Sequence, residues 1–170
     1  MNPAHLHLIL NHVPVLAVPF GLAALGWAMF RPRPEFARLA LIVFVFSALA
    51  TIPTYLTGEP AEDAIEGVAG AIEPWVEPHE EAALVSLILG EALGVLAIAG
   101  LWSARRAVSP ARPMMMASLV LALATASSLA YTANLGGLIR HPEIRSGAAL
   151  PGAAGAADAR SDPKPSIGVR

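Results

Sequence analysis

The chain has 170 residues, of which 55% are hydrophobic and 14% charged, and a formal net charge of -2. A soluble domain carries about 25% Asp, Glu, Lys and Arg, so this composition lacks the charged surface a water-soluble protein needs and points to lipid as the main solvent. Cysteine is absent, which excludes disulfides, c-type haem attachment, iron-sulfur ligation, thiolate zinc sites and thiol nucleophiles, and leaves any metal or cofactor to His, Glu, Asp or Met.

A spanning helix needs about 20 predominantly apolar residues. Four stretches qualify, residues 3–30, 36–56, 82–102 and 114–135, and the fold class expected is all-α, an integral membrane four-helix bundle. The first span opens on Asn2 and Pro3, an N-cap and a first-turn proline. It has neither the basic n-region nor the A-x-A site of a cleaved signal peptide, so it is expected to remain as a helix. Pro14 and Pro19 lie inside it, each removing one backbone hydrogen bond.

The connectors RPRPEFAR and SARRAVSPAR, after the first and third spans, carry three arginines each. The positive-inside bias places them in the cytoplasm, and places the acidic connector 57–81 and both termini on the outer, periplasmic side; Arg140 and Arg145 are the only basic residues close to the last span against this vote. Eight of the thirteen acids fall between Glu59 and Glu81, and no Lys or Arg occurs between Leu39 and Ala104. With no basic stripe to neutralise phosphates, nucleic acid is not a partner. Within the outer connector, AEDAIEGVAGAIEP repeats Ile65, Val68, Ala69 and Ile72 at helical spacing, which predicts a short helix on the membrane surface. Residues 146–170 are too poor in apolar side chains to order themselves and are expected to be a disordered tail. Trp27 and Trp102 at one interface, with Tyr55, Trp75 and Tyr131 at the other, fit aromatic belts.

All five histidines fall on the outer side of this arrangement: His5, His7 and His12 in the first helix, His79 at the start of the third, and His141 beyond the fourth. His5 and His12 share a face that continues through Pro19, Ala23 and Gly26, a small-residue track of the kind used for close packing, so both are expected to face the bundle interior. His7 shares a different face with Asn11, Pro14 and Val18 and is the weakest candidate. The bland alternative for His79 is helix-start chemistry with Pro78, Glu80 and Glu81; for His141 it is a solvated position after a glycine C-cap at Gly136 and Gly137.

Ser47, Thr51, Thr54 or Tyr55, and Gly58 form one polar stripe on the second helix, and Thr125, Ser128 and Thr132 another on the fourth. Such hydroxyls also commonly bond a carbonyl of the preceding turn. Glu91, in LILGEALGVL, has no basic residue within helical reach, and a charge at mid-bilayer costs at least about 3 kcal/mol. It is therefore protonated or partnered, as a proton relay, a metal ligand or a group orienting a histidine, or as a simple interhelical hydrogen bond.

HLHLILNHVPV at the start, TGEPAE after the second helix, EPHEE at the third and YTANLGGLIRHPEI at the end together resemble a family of small bacterial four-helix membrane proteins. Its members carry a domain of unknown function with a His-Pro or His-x-Pro element in the first helix and a Thr-Gly-x-x-Gly-Gly element closing the last. The likeness covers about residues 4–145, and TANLGG at Thr132 to Gly137 departs from the family spacing. The resemblance implies a bacterial inner-membrane protein, sometimes linked with redox partners, and no established reaction.

Three functions fit these residues. The first is electron transfer through haem b, which needs no cysteine and can be held by axial histidines on facing helices; His5, His12, His79 and His141 are the candidate ligands, with Glu91, Thr51, Tyr55 and Tyr131 supporting them or relaying protons. The second is binding or transport of a divalent transition metal by His12, His79 and Glu91. The third is an accessory or assembly subunit of a membrane redox complex, or a homo-oligomer, docking through small-residue tracks such as Gly90 to Gly94. A hydrolase is not supported, since HExxH, Gly-x-Ser-x-Gly and phosphate-cradling loops are missing.

Overall fold

The first helix begins where its capping pattern places it. In the computed structural model, which describes residues 2–66, 73–107 and 109–145, Asn2 Oδ1 accepts the Ala4 N–H at 2.9 Å and Pro3 opens α1 (Pro3–Phe30). α2 (Pro34–Leu56) also starts on a proline, whose missing N–H is no loss in a first turn. α3 (Gly58–Asp63) is a short helix, and a 3-10 turn at Glu73–Trp75 leads into α4 (Val76–Ser103). α5 (Arg112–Arg140) is followed by a second 3-10 turn, Pro142–Ile144. The fold is thus all-helical, and α1, α2, α4 and α5 are each long and apolar enough to cross a membrane. The 28 residues of α1 measure about 42 Å at about 1.5 Å each, against about 30 Å of hydrocarbon, so the helix ends reach the headgroup layers.

The four long helices form a ring in the order α1, α2, α4, α5, with α5 closing more loosely on α1. α1 and α4 therefore run parallel on one diagonal. Val18, Leu25, Leu41, Phe44 and Leu93 are fully buried in the centre, while Leu16, Phe46, Ile88, Val95 and Val120 lie on the outside and are exposed. A large apolar exterior is what lipid, and not water, solvates.

Glycines set how closely the ring closes. A Cβ on Gly94 would stand 2.5 Å from the Ala48 Cβ, and one on Gly21 would stand 2.5 Å from the Phe44 ring. Gly90 lies over Thr51 and Gly100 over Leu41. Both α1 and α4 thus press onto α2 through missing side chains, the device that membrane helices use where no hydrophobic drive pulls them together. Gly90 to Gly94 is accordingly spent inside the chain, which corrects its expected use as a surface for docking on another protein.

At the arginine end, Arg38 Nη2 donates to the carbonyls of Ala104 at 3.3 Å and Ala107 at 3.0 Å, tying the start of α2 to the end of α4. Arg105 stacks on Trp102 at 4.0 Å from the ring centroid. At the other end, Arg145 donates to the carbonyls of Leu138 at 2.7 Å and Ile139 at 2.9 Å, where cationic donors suit the last turn of a helix.

Some expected boundaries move. α4 begins six residues before Ala82, taking His79 into the helix, and α5 passes through Gly136 and Gly137 to Arg140 in place of capping there. The surface helix expected through Ile65, Val68, Ala69 and Ile72 is not seen at Ile65, which lies in a turn after the short helix α3; Val68, Ala69, Ile72 and the tail 146–170 lie outside the described residues.

The contact between α2 and α4 predicts that Gly94→Ala lowers the thermal unfolding midpoint in detergent, with a loss of about 1–3 kcal/mol as helices forced apart give up packing. Gly26→Ala, whose added Cβ meets nothing within 4 Å, is expected to leave the midpoint unchanged or raise it.

Candidate functional site

α1 buries one stripe through Pro14, Val18, Gly21, Leu25 and Ala28. His7 stands seven residues before Pro14 and so continues this stripe to the end of the helix. It is half-buried and bonded to Thr57, just beyond α2, with Nδ1 and Oγ1 3.1 Å apart. The Thr57 hydroxyl has one hydrogen, and it is given to the carbonyl of Pro53 or Thr54, both 2.9 Å away. With that hydrogen on a carbonyl, Oγ1 accepts from the His7 Nδ1–H, and the His7 ring also lies within hydrogen-bond reach of the Thr54 backbone.

His79 is built the same way from the other half of the ring. Its Nδ1–H donates to the carbonyl of Thr132 at 3.0 Å, which leaves Nε2 as the free acceptor. A Cβ on Gly136 would sit 3.1 Å from the His79 Cε1, tighter than an ordinary contact, so glycine gives the ring its room against α5. Below it, the Ser86 hydroxyl joins those of Ser128 at 2.7 Å and Thr132 at 3.0 Å. At about 1.5 Å per residue, His7 and His79 lie within about two turns of the starts of their parallel helices and so at similar depth. The two imidazoles are within electrostatic reach of each other.

The remaining histidines point elsewhere, and the expected order of candidates is reversed. His5 and His12 are exposed, on the same outward face as Pro19 and Ala23; the Nδ1–H of His12 donates to the Leu8 carbonyl of its own helix. The small-residue track proposed to bring them inward is not the packing face, because α1 meets α2 through Gly21 and Phe44 instead. His141 is exposed and pairs with Glu143 at 2.8 Å. Tyr55 and Tyr131 are exposed as well. His7 was legible only as the continuation of the Asn11, Pro14 and Val18 face, and its hydroxyl partner lies 50 residues away in sequence.

The hydroxyl stripes of α2 and α5 do face inward: Ser47, Thr51 and Thr125 are buried. Their hydrogens stay local, since Thr51 donates to the Ser47 carbonyl, Thr54 to Ala50, Thr125 to Leu121 and Thr132 to Ser128, each four residues back. Glu91 lies apart from the histidines. Among the described residues, its Oε1 and the Ser118 Oγ are the buried side-chain oxygens without a hydrogen-bond partner.

Above the histidines the surface is acidic. Glu62, Pro74, Val76, Glu77 and Glu80 line a shallow groove between α3 and the start of α4. Desolvation first, and then the neighbouring Glu80 carboxylate with Asp63 and Glu59, holds the Glu62 carboxyl above its ordinary value of 4.5. Among the described residues no three His, Asp or Glu side chains converge as a metal-binding group.

These features define a helical bundle whose four long helices are apolar enough to cross a membrane, with two half-buried imidazoles at one end. Comparison with family models, curated proteins and solved structures finds no match for this chain.

Two outcomes follow. Gly136→Ala is expected to push the His79 ring off the Thr132 carbonyl, seen as a changed imidazole 15N shift for His79 with His12 unmoved. The raised folded-state pKa of Glu62 means that the fold favours its protonated form. That contribution is fully present below about pH 4.5 and is lost as the pH rises through the raised value. The thermal midpoint should fall over that window, and Glu62→Gln should flatten the dependence.

Proposed function

We propose that the protein binds haem b between His7 and His79 and passes electrons at the acidic-loop end of its bundle. The observation that carries this reading is two half-buried imidazoles on diagonal helices at one end of the bundle, the Nδ1–H of His79 donated to the Thr132 carbonyl and the Nδ1 of His7 bonded to the Thr57 hydroxyl. A histidine that ligates a metal characteristically donates its other ring nitrogen in this way, which fixes the tautomer and orients the ring. His7 and His79 would hold the haem, since the chain has no thiolate to do so. When bound, the haem supplies a one-electron couple; the chain's own contribution is to hold the two rings, to exclude water around them, and to set the charge at the mouth.

The acidic groove favours a second reading, binding or transport of a divalent transition metal, because carboxylates concentrate cations beside the histidines. Against it stands the lack of a third ligand among the described residues, since a bare ion of this kind usually takes three or four protein donors. The positive-inside bias places the arginine connectors in the cytoplasm, so the site belongs to the periplasmic side of a bacterial inner membrane, with both termini there.

The absorption spectrum of the purified protein from haem-sufficient cells tests this. A Soret band that sharpens on reduction, lost in His7→Ala and in His79→Ala and kept in His12→Ala, is the expected result. A colourless protein overturns the haem reading, and stoichiometric metal without porphyrin replaces it with the second.

A further inference from the structure

Glu35 is the one acid in the two arginine connectors, which between them carry Arg31, Arg33, Arg38, Arg105, Arg106 and Arg112. An acid in the first turn of a helix complements the positive end of its dipole, and Glu35 holds that place in α2. It also stands three residues before Arg38, and both line an open groove of about 530 Å³ with Pro34, Leu39 and Ile42. The two charges nevertheless form no ion pair among the described residues. Arg38 Nη2 gives its hydrogens to the carbonyls of Ala104 and Ala107, so the end of α4 fixes the guanidinium while its Nε and Nη1 hydrogens stay available. Glu35 is exposed and its side chain makes no bond among the described residues. The groove thus presents a positioned cation and an unpaired carboxylate about 5–6 Å apart at Cβ.

Deeper along α2 the surface is apolar. Leu39, Ile42, Phe46 and Leu49 are all exposed and follow one another three, four and three residues apart, which sets them on one stripe. From Leu39 to Leu49 the helix rises about 15 Å, half of about 30 Å of hydrocarbon and so the depth of one leaflet. The order from the helix end inward is carboxylate, guanidinium, apolar stripe. A phospholipid with an amine headgroup has the complementary order: ammonium, phosphate, acyl chain.

We propose that this groove binds one phospholipid whose headgroup carries a primary amine, with the ammonium on Glu35, the phosphate on Arg38 and an acyl chain along Leu39, Ile42, Phe46 and Leu49. The guanidinium makes charge-assisted hydrogen bonds to phosphate oxygens, and the ammonium donates to the carboxylate. A purely anionic lipid satisfies Arg38 but is repelled by Glu35, and a choline headgroup offers Glu35 no hydrogen-bond donor. Arginines near a membrane surface attract anionic headgroups of every kind; Glu35 is the residue that selects among them.

Native mass spectrometry of the purified full chain in detergent, mixed with equal amounts of phosphatidylethanolamine, phosphatidylcholine and phosphatidylglycerol bearing the same acyl chains, is the test. One phosphatidylethanolamine per chain is expected, retained about tenfold more than either competitor, the difference made by one charge-assisted hydrogen bond at a hydrated surface. Glu35→Ala should erase the preference over phosphatidylcholine and raise the binding of phosphatidylglycerol, whereas Arg33→Ala, outside the groove, should leave the order unchanged. Arg38→Ala should lower retention of all three lipids in a variant that circular dichroism shows to be folded; Glu35→Ala removes no bond within the chain and decides the matter even if Arg38→Ala does not fold. Soluble phosphoethanolamine at the same concentration should not displace the lipid, because it has no acyl chain. Equal retention of the three lipids, a preference for phosphatidylglycerol, a preference indifferent to Glu35→Ala, or displacement by the free headgroup would each overturn the proposal.

Discussion

The close approach of α1 and α4 to α2 is the constraint on which the rest depends. In lipid, apolar side chains gain nothing by leaving solvent for one another, so helices associate where their surfaces fit and their backbones come near. Gly21 admits Phe44, Gly94 admits Ala48, and Gly90 and Gly100 let α4 lie over Thr51 and Leu41. These contacts fix the rotation of α1 and α4 about their own axes. Once Gly21 faces α2, the stripe through Pro14 must face inward, and His7 with it. Once Gly94 does so, His79 turns toward α5 and Glu91 to the rim.

The spans were legible because membrane solvation writes itself into composition: 20 apolar residues in a row have few alternatives. Asn2 and Pro3 set the start of α1 as their chemistry requires. The facing of the histidines was not legible, for a reason specific to lipid. A helix that is apolar all round has no polar face to mark its outside, so Pro19, Ala23 and Gly26 looked like as good a packing track as Val18, Gly21 and Leu25. What separates them is whether a bulky partner stands opposite, and Phe44 stands opposite Gly21. Gly136 misled for a related reason. Glycine commonly ends helices, but here it stays helical because the ring of His79 needs the space.

The hydroxyls show how a membrane interior tolerates polar groups. Thr51, Thr54, Thr125 and Thr132 each return their hydrogen to their own helix, which satisfies the donor while leaving oxygen lone pairs available. At Thr57 one such lone pair holds His7. At Ser86, Ser128 and Thr132 the hydroxyls instead join α4 to α5 beneath His79. Each imidazole is thus anchored to the half of the ring to which its own helix belongs, α1 with α2 and α4 with α5. The two imidazoles lie at the same end of the bundle, within electrostatic reach of each other.

The prolines of α1 give the bundle a mechanical asymmetry. Pro14 and Pro19 have no N–H, so the carbonyls of Leu10 and Val15 lose their helical donors. The first three turns, which carry His7, are joined to the lower helix by fewer bonds than any equal length of α4, which has no proline between Glu80 and Ser103. The helix that carries His7 is therefore the more easily bent of the two, and the one that carries His79 the stiffer.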